Sequence, residues 1–277
     1  MAIKSLINGK SSETISLFDR GLQYGDGVFE TIAVEDETLL CMDKHIERLQ
    51  TGCSRLNLPM PKQDKLNEES QRLASSVDRG IIKIVITRGQ GGRGYALPNN
   101  VEPTRIISLY PWPDYSFGNS DDGINVHVCN YRYAHNSVLA GIKHLNRLEQ
   151  VLARSEWTDS SIAEGIVLDH EKNVIEGTMS NIFYIKGNAL FTPELSDCGV
   201  DGIIRQKIIS LSTELQLEVF INKISLISLM DADEAFLCNS IIGVWPIKTL
   251  GEKPMVVGDK TIQIKKALQK HNFISTL

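Results

Sequence analysis

Gly141-Ile142-Lys143-His144-Leu145-Asn146-Arg147-Leu148-Glu149-Gln150 is the stretch on which the reading of this chain turns. A lysine is ordinarily solvated, but this one follows Leu139-Ala140-Gly141-Ile142, an apolar approach that half-buries its amine. Apolar spacings of three and four then predict a helix over 145–157. Before it, the sequence reads as a strand over 124–131. After it comes a strand-rich section over 165–192, with turns at 170–173 and 187–188. A helix over 203–215, strands near 217–222 and 234–239, and a last helix over 260–271 follow.

The N-terminal part alternates in the same way. Runs at 28–34 and 39–42 flank the acidic Glu35-Asp36-Glu37 and predict a hairpin. Asp43 is a candidate N-cap for a helix carrying Ile46, Leu49, Cys53 and Leu56. A polar helix with Leu66, Leu73 and Val77 inward comes next, then buried strands over 81–87 and 104–110. Pro111-Trp112-Pro113-Asp114 and Gly118-Asn119-Ser120-Asp121-Asp122-Gly123 form the richest turn segment. The expectation is a mixed α/β (α+β) chain of two domains. A smaller one spans 1–113, a linker 114–123, and a larger one 124–277 with Lys143 in it; the 277 residues suit that division.

Composition narrows the function. Lysines and arginines number 29 against 34 acidic residues, a net charge of −5, so no basic footprint for nucleic acid is expected. No run approaches the ~20 apolar residues of a membrane span, and the first residues lack the pattern of a signal peptide. A cytoplasmic protein without a membrane partner is expected. The 5 cysteines are odd in number and scattered, with no C-x-x-C pair, and read as free thiols. Gly89-Gln90-Gly91-Gly92-Arg93-Gly94 matches G-x-G-x-x-G, but Tyr95-Ala96-Leu97-Pro98 follows where a dinucleotide site needs a helix. No P-loop, zincin or esterase-elbow motif is present. The histidines do not sit at metal-ligand spacing, so no metal is expected.

Six segments in order resemble one family. They are Asp19-Arg20-Gly21-Leu22-Gln23-Tyr24-Gly25-Asp26-Gly27-Val28-Phe29-Glu30-Thr31, His45-Ile46-Glu47-Arg48-Leu49, and the Lys143 stretch. Then come Val174-Ile175-Glu176-Gly177-Thr178-Met179-Ser180-Asn181-Ile182-Phe183, Gly199-Val200-Asp201-Gly202-Ile203-Ile204-Arg205, and Cys238-Asn239-Ser240 with Pro246 beyond. Together they resemble the fold-type IV pyridoxal-phosphate enzymes, which include branched-chain and D-amino-acid aminotransferases. Lys143 to Gln150 and Thr87 to Tyr95 are similar to the 4-amino-4-deoxychorismate lyase branch.

The resemblance implies a two-domain, D-amino-acid-aminotransferase-like fold, pyridoxal 5'-phosphate as cofactor, and a homodimer acting on a small-molecule substrate. It implies that Lys143 is the lysine that forms the Schiff base and moves the proton, and that Glu176 pairs with the pyridine nitrogen. Phosphate would fall to Arg48, to the helix start at Ile203 and Ile204, and to Ser240; Ile204 stands where relatives often carry threonine. Val200 would pack on the cofactor ring. Arg93 and Tyr95 match positions that bind a substrate carboxylate, with Arg88 and Arg147 as further candidates. The activity implied is elimination from aminodeoxychorismate to 4-aminobenzoate and pyruvate. The alternatives are an aminotransferase of the same fold and a catalytically silent protein that retains it.

Overall fold

By the two-residue period of a strand, Val28, Ile32 and Val34 point the same way, and all three are buried. They pack with Ile46, Leu49 and Cys53 of one helix and Leu66 and Leu73 of the next; spacings of three and four in the first and of seven in the second make one apolar stripe each. The computed structural model describes residues 2–115 and 122–275. It divides into two compact units: Met1–Pro113 with Ile142–Asn146, and Asp114–Gly141 with Arg147–Leu277.

The first unit holds strands β1 (Lys4–Ile7), β2 (Lys10–Ser11), β3 (Gly27–Glu35), β4 (Thr38–Leu39), β5 (Arg79–Thr87) and β6 (Thr104–Pro111), with helices α1 (Arg20–Tyr24), α2 (Met42–Arg55) and α3 (Gln63–Ala74). The strands form one sheet in the order β2-β1-β6-β5-β3-β4. β4 pairs only with Val34 and Glu35 of β3. At the other end of β3, the 142–146 segment supplies the neighbour. Phe29 N donates to Lys143 O at 2.9 Å and Leu145 N to Gly27 O at 3.0 Å, an antiparallel bridge centred on Val28 and His144.

The second unit holds β7 (Ile124–Tyr133), α4 (Leu148–Arg154), β8 (Ile162–Asp169), β9 (Asn173–Gly177), β10 (Asn181–Lys186), β11 (Ala189–Pro193), α5 (Ile203–Leu211), β12 (Glu218–Asn222), β13 (Ile224–Ser225), α6 (Leu226–Met230), β14 (Glu234–Asn239), β15 (Gly243–Leu250), β16 (Lys253–Pro254) and α7 (Asp259–Lys270). Its sheet runs β12-β11-β10-β14-β15-β7-β8-β9-β13, with β16 on β15. Helices α5 and α7 cover one apolar cluster, where Ile204, Ile208, Ile264 and Leu268 meet Phe183 and Phe236.

Several expectations change in detail. Lys143 is grouped with the first unit, because its segment pairs with β3, rather than with the C-terminal residues that flank it in sequence. For the same reason α4 starts at Leu148 and not at 145: the Leu145 N–H is engaged by Gly27. Cys41, in the left-handed conformation (φ 54°), precedes α2 as its N-cap, and Asp43 lies in the first turn. That conformation ends β4 after Leu39. Val77 lies beyond α3, though it still packs on the core. β15 was not expected, because Pro246 interrupts its strand signal. Of the expected linker, residues 116–121 lie outside the described residues.

Gly27 lies where β5 and the 142–146 segment both approach β3. A Cβ there would stand 2.3 Å from Ile86 O and 2.8 Å from Leu145 Cδ1. Gly27→Ala is therefore expected to destabilise the protein by about 1 to 3 kcal/mol, read as a lowered urea midpoint. A midpoint equal to that of the unaltered protein would show that the 142–146 segment does not press on β3.

Candidate active site

The first unit gathers Lys143, Phe29, Glu30, His45 and Arg48. Lys143 is half-buried, and its Nζ lies 4.6 Å from the centroid of the Phe29 ring, within cation–π range. The next strand residue, Glu30, is fully buried and points to the core side, where α2 presents His45 and Arg48 three residues apart. Arg48 grips it with two donors, Nε to Oε1 at 2.7 Å and Nη2 to Oε2 at 2.6 Å, the forked geometry that suits a carboxylate. His45 Nδ1 lies 2.7 Å from Glu30 Oε2.

Burial opposes ionisation of Glu30, but the Arg48 charge, followed by His45, overrides it and holds the carboxyl down at about 2. Burial lowers the pKa of His45 against the pull of Glu30, and the charges of Arg48 and Lys143 act in the same direction as burial. Arg48 is thus oriented by Glu30, which sequence reading did not single out. The i, i+3 spacing of His45 and Arg48 was visible; their carboxylate partner, distant in sequence, was not.

A second cluster supports the glycine loop. Arg88 is buried, donating to Asp26 through Nε (2.7 Å) and Nη2 (3.0 Å) and to the carbonyls of Leu56 and Asn57. These contacts engage its guanidinium within the first unit. Arg20 Nη1 donates to Gly94 O at 3.0 Å, and Gly94 N to the Tyr24 hydroxyl at 3.2 Å. The Tyr24 and Tyr95 rings meet edge to face at 5.6 Å. Gly89 has φ 81°, and a Cβ on it would strike Glu102 O. Between these anchors Arg93 is exposed, and Tyr95 is 87% exposed. No helix follows Gly94.

In the second unit, Glu176 is buried at the end of β9, and its Oε2 accepts from Val200 N at 2.8 Å. The Val200 turn is held from both sides. Gly141 N donates to Gly199 O at 2.8 Å, Asp201 N to Gly141 O at 3.1 Å, and Asn181 Nδ2 to Val200 O at 2.8 Å. Gly202, the N-cap of α5, carries no side-chain cap, and a Cβ on it would lie 1.9 Å from Asn181 Oδ1. The Ile203 and Ile204 side chains are buried, so what the helix start offers an anion is backbone N–H groups. Ser240 lies in a turn whose Ile241 and Ile242 N–H groups both donate to Asn239 Oδ1 at 2.8 Å. Burial, with the Glu176 charge adding to it, raises the pKa of Tyr133 well above 10.

The donor atoms of His127, Cys129 and Glu156 lie within 4.8 Å of one another, a grouping the sequence reading did not make. Glu156 is already engaged. It accepts from Asn130 N and Tyr131 N, both at 2.6 Å, and lies 3.1 Å from His127 Nε2. Pairing of β7 with β8 shifts register between Val128 and Arg132, and Glu156 caps the amides released there. The described cysteines are free thiols, and burial pushes Cys53, Cys129 and Cys198 up to about 12.

The chain belongs to the amino-transferase class IV family, whose model matches residues 27–250. It is similar to the aminodeoxychorismate lyase of Vibrio harveyi, 36% identical over 242 residues that cover 87% of this chain and 89% of the relative. The solved 4-amino-4-deoxychorismate lyase of Pseudomonas aeruginosa superposes with a TM-score of 0.93 at 38% identity, covering 98% of this chain and 100% of that one. A putative branched-chain-amino-acid aminotransferase of Methanocaldococcus jannaschii is 30% identical over 277 residues, covering 97% of this chain and 94% of the relative. The fold is the mixed α/β fold-type IV architecture that the six segments imply.

The Glu30 group makes stability depend on pH in a stated direction. The unfolded chain binds a proton at His45 below its ordinary 6.5 that the folded chain resists. Glu30 likewise takes up a proton when unfolded below 4.5 and when folded only near about 2. Both effects remove stability as pH falls, the first from 6.5 downward and the second between 4.5 and about 2. His45→Asn is expected to flatten the upper part, by up to about 1.4 kcal/mol per pH unit for one proton. Urea unfolding of both proteins between pH 7 and 5 checks this; parallel profiles would show that His45 does not titrate there differently on folding.

Proposed function

We propose that this protein is a pyridoxal-phosphate-dependent aminodeoxychorismate lyase, which converts 4-amino-4-deoxychorismate to 4-aminobenzoate and pyruvate, a step towards folate. The observation that carries the reading is Lys143, a half-buried amine on a segment hydrogen-bonded to β3. The lyase relatives in two comparisons support it, at 36% and 38% identity. The chemistry of the donor set fits the cofactor: one amine, one buried carboxylate, and a helix start without a side-chain cap. We further propose a homodimer in the cytoplasm.

In this reading Arg48, the Ile203 and Ile204 N–H groups and Ser240 hold the phosphate, Val200 packs on the ring, and Glu176 keeps a proton on the pyridine nitrogen. Pyridoxal phosphate supplies an aldehyde that links to amines and a ring that takes up an electron pair. Lys143 anchors it and then, as general base, takes the proton from the substrate carbon bearing the amine. Loss of that proton and of the enolpyruvyl group, which departs with its ether oxygen and becomes pyruvate on taking up a proton, leaves an aromatic ring, so the elimination runs downhill. The protein's task is mainly orientation. Arg93 and Tyr95 bind a substrate carboxylate, and the anchored Gly94 and Tyr24 keep their loop in place.

Borohydride reduction of the protein loaded with pyridoxal phosphate should fix the cofactor on the peptide containing Lys143, identified by mass spectrometry. The same preparation should release 4-aminobenzoate and pyruvate in equal amounts from aminodeoxychorismate. Labelling elsewhere would remove Lys143 from its role. Labelling at Lys143 with keto-acid formation from branched-chain or D-amino acids, and no 4-aminobenzoate, would make the protein an aminotransferase.

Arg93→Ala should leave cofactor binding intact and lower kcat/KM about ten- to a hundredfold, the effect of losing a charge-assisted hydrogen bond to a carboxylate. Unchanged kinetics would return the loop to an ordinary surface turn.

A further inference from the structure

Glu164 on β8 is 1% exposed and takes no part in the chemistry described above. Five donors converge on it: Gly165 N at 2.9 Å, Thr178 N at 3.2 Å and the Thr178 hydroxyl on Oε1, with Met179 N at 3.1 Å and the Ser180 hydroxyl at 2.9 Å on Oε2. Every one of these groups donates, so an ionised carboxylate is the side chain that matches them all. Burial raises its pKa, and the hydrogen bonds pull against it without cancelling it; what faces the carboxyl oxygens is these five donors.

What Glu164 holds is the loop that follows Glu176. Gly177 N donates to Ser180 O at 2.6 Å and Thr178 N to Gly165 O at 3.1 Å, closing a tight turn. A Cβ on Gly177 would stand 2.2 Å from Ser180 Oγ. From the tip of this turn, Met179 O accepts from Asn239 Nδ2 at 3.0 Å. The other end of the same amide, Asn239 Oδ1, accepts the two N–H groups that shape the Ser240 turn. A continuous chain of hydrogen bonds thus runs from Glu164 through Met179 and Asn239 to Ser240's turn, and the turn's near end is the strand that carries Glu176.

We propose that Glu164 is a positioning residue, whose buried carboxylate sets the Thr178–Ser180 turn and, through Asn239, the Ser240 turn in the form that receives the cofactor's phosphate. The inference rests on the reading of Ser240 as a phosphate ligand. In Glu164→Gln, the new amide N–H₂ faces donors, so one side of the turn loses its acceptor. A merely structural residue would cost stability alone; a positioning residue also shifts how the protein tells pyridoxal phosphate from pyridoxal, which lacks the phosphate.

The test measures both dissociation constants for wild type, Glu164→Gln and Asn239→Ala, with melting temperature and the ³¹P resonance of the bound phosphate recorded alongside. Asn239→Ala leaves Glu164 and its five donors in place; it removes the donor to Met179 O together with the acceptor of the Ile241 and Ile242 N–H groups, so a wild-type ratio of the two affinities in it overturns the proposal even if Glu164→Gln does not fold. The expected result is a loss of about tenfold or more for pyridoxal phosphate, a much smaller loss for pyridoxal, and a moved ³¹P resonance. Variants that melt lower yet keep the wild-type ratio of the two affinities and the wild-type resonance would overturn the proposal. A wild-type protein that binds no pyridoxal phosphate would instead overturn the proposed function, and this inference with it.

Discussion

The backbone pairing between Lys143–Leu145 and the start of β3 is the contact on which the catalytic reading depends. Because β4 is two residues long and covers only Val34 and Glu35, the edge at Gly27–Phe29 is open for a short segment from far along the chain. Two amide hydrogen bonds fix that segment, and Gly27 has no side chain to obstruct it. An unpaired strand edge is an ordinary liability of sheets; here it seats the segment that carries Lys143, the candidate amine. The pairing also decides where α4 begins, since the Leu145 N–H is engaged by a strand carbonyl and the helix must start later.

Buried and half-buried carboxylates do different work in the two units, according to what faces them. Glu30 and Asp26 meet guanidinium groups, and their ionisation is favoured enough to fall below the ordinary range. Each then orients an arginine: Arg48, a candidate phosphate ligand, or Arg20, an anchor of the glycine loop. Glu164 meets backbone amides and hydroxyls instead. Its ionisation is disfavoured by burial, and what it shapes is the backbone of a turn. Glu176 is of this second kind in the contact it makes with Val200 N. Cation partners give orientation to long side chains; amide partners give shape to loops.

Much of this was legible in the residues. The alternation of periods identified most of the strands and helices of both units, since a two-residue or a 3.6-residue apolar period is a local property of the chain. The rejection of a dinucleotide loop at Gly89–Gly94 rested on the absence of a following helix, and none follows. Helix ends were less legible. α5 ends at Leu211 and α4 spans Leu148–Arg154, because termini answer to hydrogen-bond partners that local pattern does not contain. β15 was hidden by Pro246, a residue that weighs against a strand unless pairing elsewhere compensates.

The sequence by itself determined the family, the candidate lysine and carboxylate, and the class of chemistry, because these rest on residue types in a fixed order. Only the tertiary structure decided which side chains those residues answer to. Arg48 is aimed by Glu30 across 18 positions, Arg88 is engaged by Asp26 across 62, and Glu164 reaches 16 positions to Ser180. Partners of that kind are chosen by strand register and by the burial of a charge that must find donors, and neither quantity exists until the sheets have formed.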